Sequence, residues 1–133
     1  MKQITKNHKK RVGNTGEGVV GEYLMRNGYQ IRELNYWAHN NEIDIIAEKN
    51  SIIYFVEVKA VSYETKVSLE QSVTHETWQP EEQVHGKKLQ RIYKTAAIWL
   101  QENNCEQDWI VAVAAVRLVS REKYATINFI ENV

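Results

Sequence analysis

Two alternating segments lie back to back in the middle of the chain and limit the folds open to it. Glu42 to Glu48 and Ile52 to Ala60 are separated only by Lys49-Asn50-Ser51, and both carry apolar residues at every second position. A period of two is the mark of a strand, and asparagine accepts the positive φ that a tight hairpin loop requires. With Asn50 and Ser51 as a two-residue loop, Lys49 pairs with Ile52, Asp44 falls opposite Glu57, and Glu42 falls opposite Lys59. A four-residue loop from Lys49 to Ile52 keeps this register, and a three-residue loop without a bulge breaks it. Directly opposed residues have Cβ atoms about 4.5–5.5 Å apart. Asp44 and Glu57 therefore aim at one point on one sheet face, with Lys59 two residues along. The other face reads Ile43, Ile45 and Ala47 against Tyr54, Val56 and Val58, an apolar surface able to hold the carboxylates on a rigid support.

Such a pair is unfavourable when bare, because like charges at this distance raise one another's pKa. A hard cation such as Mg²⁺ removes the conflict, since it takes one or two carboxylates together with water and phosphate oxygens. The plainer alternative is a surface ladder of Glu42, Asp44, Glu57 and Lys59, worth little energetically. The apolar settings Ile43-Asp44-Ile45 and Val56-Glu57-Val58 weigh against it. Glu17 is a third candidate. It borders the stripe of Val20 and Leu24 and can lean toward the sheet, or can simply favour a helix N-terminus.

Elsewhere the periodicity predicts a first helix after Gly13 to Gly16, ending near Asn27-Gly28, and then a strand from Tyr29 to Trp37. Residues 61–79 are polar, lack a period and read as a long loop. Pro80-Glu81-Glu82 predicts a helix start, followed by a stripe of Leu89, Ile92, Tyr93, Ala96 and Leu100. Asp108 to Val119 is apolar on both faces, as a central strand is, and Tyr124 to Ile130 is the last strand. The order α-β-β-β-α-β-β implies an α/β domain, a mixed sheet flanked by helices.

At 133 residues one such domain is expected over 1–133, with residues 1–12 a basic, flexible N-terminal segment. A single cysteine, Cys105, excludes an intrachain disulfide and argues against a cysteine zinc site. The N-terminus lacks the apolar core of a signal peptide. The longest apolar run, Trp109 to Val116, is far short of the roughly 20 residues that cross a bilayer. A cytoplasmic protein with no membrane partner is the expectation. Lysine plus arginine equals aspartate plus glutamate, 17 against 17, so any case for nucleic acid rests on local clusters such as Lys87, Lys88, Arg91 and Lys94.

Several segments together resemble one family. Gly16-Glu17, Tyr23-Leu24, Gly28-Tyr29, Asn41-Glu42-Ile43-Asp44-Ile45-Ile46-Ala47 and Phe55-Val56-Glu57-Val58-Lys59 are similar to the YraN-type bacterial proteins, uncharacterised protein family 0102. Pro80-Glu81-Glu82, Val84, Lys87 or Lys88, Ala96 to Leu100 and Asp108 to Val113 extend the likeness over nearly the whole chain. That family is itself similar to archaeal Holliday-junction resolvases of the PD-(D/E)xK nuclease superfamily. The resemblance implies a restriction-endonuclease-like core and a Mg²⁺- or Mn²⁺-dependent endonuclease acting on DNA, structured or branched DNA included. By the same likeness Asp44, Glu57 and Lys59 are the catalytic aspartate, glutamate and lysine, and Glu17 the helix carboxylate that joins them. One or two ions would be held by Asp44, Glu57 and Glu17, with the carbonyl of Val58 a further ligand. The resolvases' dimers imply a homodimer. The chain departs from the family pattern at Asn41, where glycine is usual, at Ala60-Val61, where Thr-Arg is common, and in the length of the 61–79 segment.

On the basic helix, Lys87, Arg91 and Lys94 share a row and Lys88 lies nearer the apolar stripe, an arrangement able to follow phosphates. Tyr63 and Trp78 can stack on bases or tether their loop, and His75 and His85 lack the spacing of metal ligands. The competing functions are a nucleic-acid-binding module with the nuclease fold but little or no catalysis, and a small interaction domain. Metal binding and cleavage separate the three.

Overall fold

The alternating segments form the expected hairpin. The computed structural model describes residues 6–75 and 86–131. In it β2 (Asn41–Lys49) and β3 (Ile52–Ser62) pair antiparallel from Lys49↔Ile52 to Ile45↔Val56. Asn50 and Ser51 take φ of 53° and 64°, the left-handed pair that a two-residue loop needs to follow the strands' twist.

Around this hairpin lies a five-stranded sheet in the order β1-β2-β3-β4-β5, with β1 (Gln30–Ala38), β4 (Trp109–Val119) and β5 (Tyr124–Glu131). β3 and β4 run parallel and every other neighbour antiparallel, so the sheet is mixed. α1 (Lys6–Arg26) precedes the sheet, while α2 (Lys66–His75) and α3 (Gly86–Glu102) lie in the connection from β3 to β4. This is the α/β arrangement expected of a restriction-endonuclease-like core.

Each sheet face has its own core. Val20 and Leu24 of α1 pack on Ile45, Ala47, Tyr54 and Val56, and the α3 residues Ile92, Ala96 and Trp99 pack on Ile46, Phe55, Val111 and Val113. β4 is buried from Val111 to Val119 because both helical layers rest on it. Tyr93 stays on the rim, packed edge-on against Trp109, and Trp99 fills the core position in its stead.

Two expectations are corrected. Residues 61–79 are not one loop: β3 extends to Ser62, and α2 follows. The Thr65 hydroxyl accepts from the Ser68 N–H at 3.0 Å, an N-cap that starts the helix. In the N-terminal segment, the helix begins at Lys6, before the glycines where its start was expected. The proposed helix start at Pro80-Glu81-Glu82, and Trp78 and His85, lie outside the described residues.

Candidate functional site

The predicted register sets Asp44 beside Glu57 midway along β2 and β3, but the ladder between these two strands stops one pair before them. Beyond Ile45↔Val56 the N–H of Val58 donates to Asp44 Oδ2 at 2.8 Å, so a side chain occupies the place of a strand partner. The alternation of β2 breaks at the same point. Ile45 belongs to the α1-side core, and Ile43, two residues away, belongs to the α3-side core. The expectation that Ile43, Ile45 and Ala47 share one face is thereby corrected.

Two neighbouring elements complete the site. A Cβ on Gly16 would stand 2.6 Å from Ala60 Cβ, a spacing open only to glycine, and this lets α1 lie close on β3 and carries Glu17 to the sheet. On β1, Asn35 takes φ of 52° opposite this part of β2, between the pairs Leu34↔Ile45 and Tyr36↔Ile43. With its amide nitrogen toward the carboxylates, it donates to Glu42 Oε1 at 2.6 Å and to Glu17 Oε2 at 3.2 Å. One carboxylate oxygen each from Glu17, Glu42 and Asp44 then lies within 4.8 Å of the others.

Glu57, 5% exposed, stands beside this triad and is held by two ammonium groups. Lys88 Nζ lies 3.1 Å and Lys59 Nζ 3.5 Å from its Oε1. Burial, and then the charge of Glu57, push Asp44 from an ordinary 3.8 up to about 8, and Glu17 and Glu42 add to the rise against the Val58 hydrogen bond. Burial also raises Glu17 and Glu42, joined by the charge of Glu42 in the first case and of Glu57 in the second. Hydrogen bonding to Asp44 pulls both the other way, since a proton held on Asp44 can be donated to them. Lys88 loses solvation, which favours its neutral form and is the largest influence, but the charge and hydrogen bond of Glu57, with smaller help from Asp44 and Lys59, together outweigh it and raise the pKa. Burial first, and mutual repulsion after it, thus disfavour the charged forms of Asp44, Glu17 and Glu42.

A cleft of about 320 Å³ opens over the group, walled by Trp37, Asn40 and Asn41 on the hairpin side and by Lys88, Arg91 and Ile92 of α3. Of the sequence-predicted residues, Asp44, Glu57, Lys59 and Glu17 meet where the β2–β3 ladder ends, and Lys88 and Arg91 reach the cleft. Lys87 and Lys94 are exposed on α3. Tyr63 ties the end of β3 to β4 through its N–H, 2.7 Å from the Leu118 carbonyl. Three site residues were missed. Strict alternation pairs Glu42 with Lys59, and Asn35 and Trp37 occupy ordinary positions of the first predicted strand. An asparagine between Leu34 and Tyr36 was the available signal, because its side chain tolerates a left-handed kink.

Fold and site together define an α/β protein with a carboxylate-lined cleft where β2 and β3 of a mixed sheet cease to pair. Among known sequences the chain belongs to the uncharacterised protein family UPF0102, whose family model matches residues 16–119. It is 37% identical over 115 residues to a UPF0102 protein of Chlorobium phaeobacteroides, covering 84% of this chain and 82% of that one. A UPF0102 protein of Alkaliphilus metalliredigens is 36% identical over 124 residues, 92% of this chain and 96% of the relative. One from Campylobacter hominis is 31% identical over 125 residues, 92% and 93% of the two chains. No helix among the described residues is long and apolar enough to cross a membrane.

Proposed function

We propose that this protein is a metal-dependent endonuclease that hydrolyses DNA phosphodiesters, structured or branched DNA among its substrates. The observation that carries the reading is the convergence of Glu17, Glu42 and Asp44 oxygens within 4.8 Å, from a helix and a strand, where burial opposes their charge. Neighbouring ligands of an octahedral Mg²⁺ lie about 3 Å apart and opposite ones about 4 Å, so the three oxygens would draw together around a shared ion. The all-oxygen donor set suits Mg²⁺ or Mn²⁺.

Glu17, Glu42 and Asp44 would hold the ion, with Glu57 next to them for the same ion or a second. The Val58 carbonyl is a further donor, because in an extended strand N–H and C=O leave on the same side and this N–H meets Asp44. A bound divalent ion would neutralise phosphate charge and acidify an attacking water. Lys59 is fixed at the end of β3 by its contact with Glu57, where its ammonium stabilises charge developing on the phosphate or orients the water. Lys88 and Arg91 on the cleft wall hold flanking phosphates, and Asn35 keeps Glu17 and Glu42 in place from β1.

Thermal melts with and without Mn²⁺, paired with cleavage of linear, nicked and four-way-junction DNA, test this reading. A native-state ligand at about 100 times its Kd stabilises by roughly 2.7 kcal/mol, and Asp44→Asn should lose that gain and cleavage together. Lys59→Ala should keep the Mn²⁺ shift and cut more slowly by about 10²–10³-fold, the effect of removing one preorganised electrostatic group. Wild type and Asp44→Asn responding alike to Mn²⁺ would remove the metal centre. DNA binding without cleavage under any metal would leave a binding module on the nuclease fold.

A further inference from the structure

Among the described residues Trp37 is the most exposed of the large apolar side chains, 61% open to solvent, and it lines the cleft that contains Asp44 and Glu57. Its position is set by β1, where it pairs with Glu42, a member of the carboxylate triad. An indole held open on a paired strand is not part of the core, and Tyr36 beside it is the residue of this pair that packs inward. Lys88 and Arg91 of α3 line the same cleft. The cleft therefore offers three chemistries side by side: carboxylates for a cation, two basic groups for phosphates, and a flat apolar ring.

We propose that Trp37 is a stacking platform for an unpaired nucleobase, so that the preferred substrate is DNA with a single-stranded or splayed nucleotide next to the phosphate held at the carboxylates. This rests on the nuclease reading and narrows its substrate class. A paired base in a duplex has both faces covered by its neighbours and offers none to an indole, whereas an unstacked base has a free face of matching size and polarity. The register pairing of Trp37 with Glu42 sets their backbones one strand spacing apart, and both side chains line the same cleft as Asp44, so a base on the ring and a phosphate at the carboxylates can belong to neighbouring parts of one strand. Stacking of this kind tolerates any base, so the selectivity is for an unpaired nucleotide and not for a sequence.

The test uses the full chain with Ca²⁺ in place of Mg²⁺, and oligonucleotides carrying 2-aminopurine either in a single strand or in a matched duplex. Wild-type protein should quench the single-stranded probe on binding, and Trp37→Phe should retain most of the quench and affinity. Trp37→Ala should weaken single-strand binding by about 5- to 150-fold, the range for loss of one stacking aromatic, with duplex affinity essentially unchanged. Equal losses on single strand and duplex would make the ring only a groove wall and overturn the proposal, as would undiminished single-strand binding by Trp37→Ala. Sedimentation showing that wild type is a dimer and Trp37→Ala a monomer would assign the ring to a second copy instead. If Trp37→Ala behaves as wild type while Mn²⁺ still stabilises the fold and DNA is still cut, the stacking site alone fails. A wild type that binds neither probe overturns the platform and the nucleic-acid reading together.

Discussion

The carboxyl of Asp44 lies among those of Glu17, Glu42 and Glu57 and accepts from the backbone of Val58, so its environment changes sharply on folding. Between about pH 4 and about 8 the folded, metal-free protein keeps a proton on Asp44 that the unfolded chain releases. Stability then falls as pH rises through that window, by up to about 1.4 kcal/mol per pH unit for one proton, and levels off above it. Glu17 and Glu42, also raised, act in the same direction. Asp44→Asn retains an acceptor for Val58 and carries no charge, so it should be more stable than wild type near pH 8 by at least about 1.4 kcal/mol, one pKa unit's worth. Its pH slope should be shallower. Denaturant melts of both proteins in chelator from pH 5 to pH 9 measure this, and parallel slopes would show that Asp44 is not the group that titrates. Asp44 and Glu57 were legible from sequence because a charge inside an alternating apolar strand is conspicuous. Glu42 was not, because its place in the triad depends on a break in the β2 alternation and on Asn35, both set by tertiary contacts.

At the scale of elements, the strands were legible nearly to the residue, since apolar alternation and the Asn50-Ser51 loop agree on one register. α2 was not, because Leu69 is the buried apolar residue among its described side chains and a helix so little packed leaves almost no periodic trace. α1 was half legible. Val20 and Leu24 mark its packed face, and its glycines disguise the rest, although one of them is the reason Glu17 reaches the site. The glycines should therefore respond in opposite directions. Gly18 has open space where a Cβ would go, so Gly18→Ala should stabilise by about 0.5–1 kcal/mol through helix propensity alone. Gly16→Ala would set a methyl against Ala60 Cβ and should destabilise by about 1–3 kcal/mol, pushing α1 off β3. The same displacement withdraws Glu17, so Gly16→Ala should also weaken the Mn²⁺ stabilisation, whereas Gly18→Ala should leave it intact. Denaturant melts of the two variants, each with and without Mn²⁺, check both outcomes. Equal stabilities would mean that the close approach at Gly16 does not position the helix.

For the whole molecule, a formal net charge of zero means that no long-range field draws DNA in, and any affinity for phosphates has to come from where the charges lie. The acids gather where β2 and β3 cease to pair, and α3 brings Lys88 and Arg91 into the same cleft, Lys88 in contact with Glu57. The sequence showed the basic row but not which members face the site, because helical spacing orders residues around an axis without saying what the helix rests on. The structure separates them: Lys88 is engaged by Glu57, Arg91 lines the cleft, and Lys87 and Lys94 are exposed beyond it. On the proposed reading Arg91 contacts phosphate in the cleft, and a duplex running on along α3 would meet Lys94 as well; each contact releases about 0.9 of a counterion from duplex DNA. Arg91→Gln with Lys94→Gln should lower the slope of log affinity against log salt by about two, weakening binding about equally for every sequence. Lys88→Gln should behave differently, because it leaves the buried Glu57 with Lys59 as its remaining partner among the ion pairs described here, and should cost stability as well as binding. Titrations with Ca²⁺ at several salt concentrations, together with melts of each variant, distinguish the two cases. An unchanged salt slope in the Arg91/Lys94 double variant would show that DNA docks away from α3, and the basic run from Lys2 to Arg11 would be the next surface to neutralise.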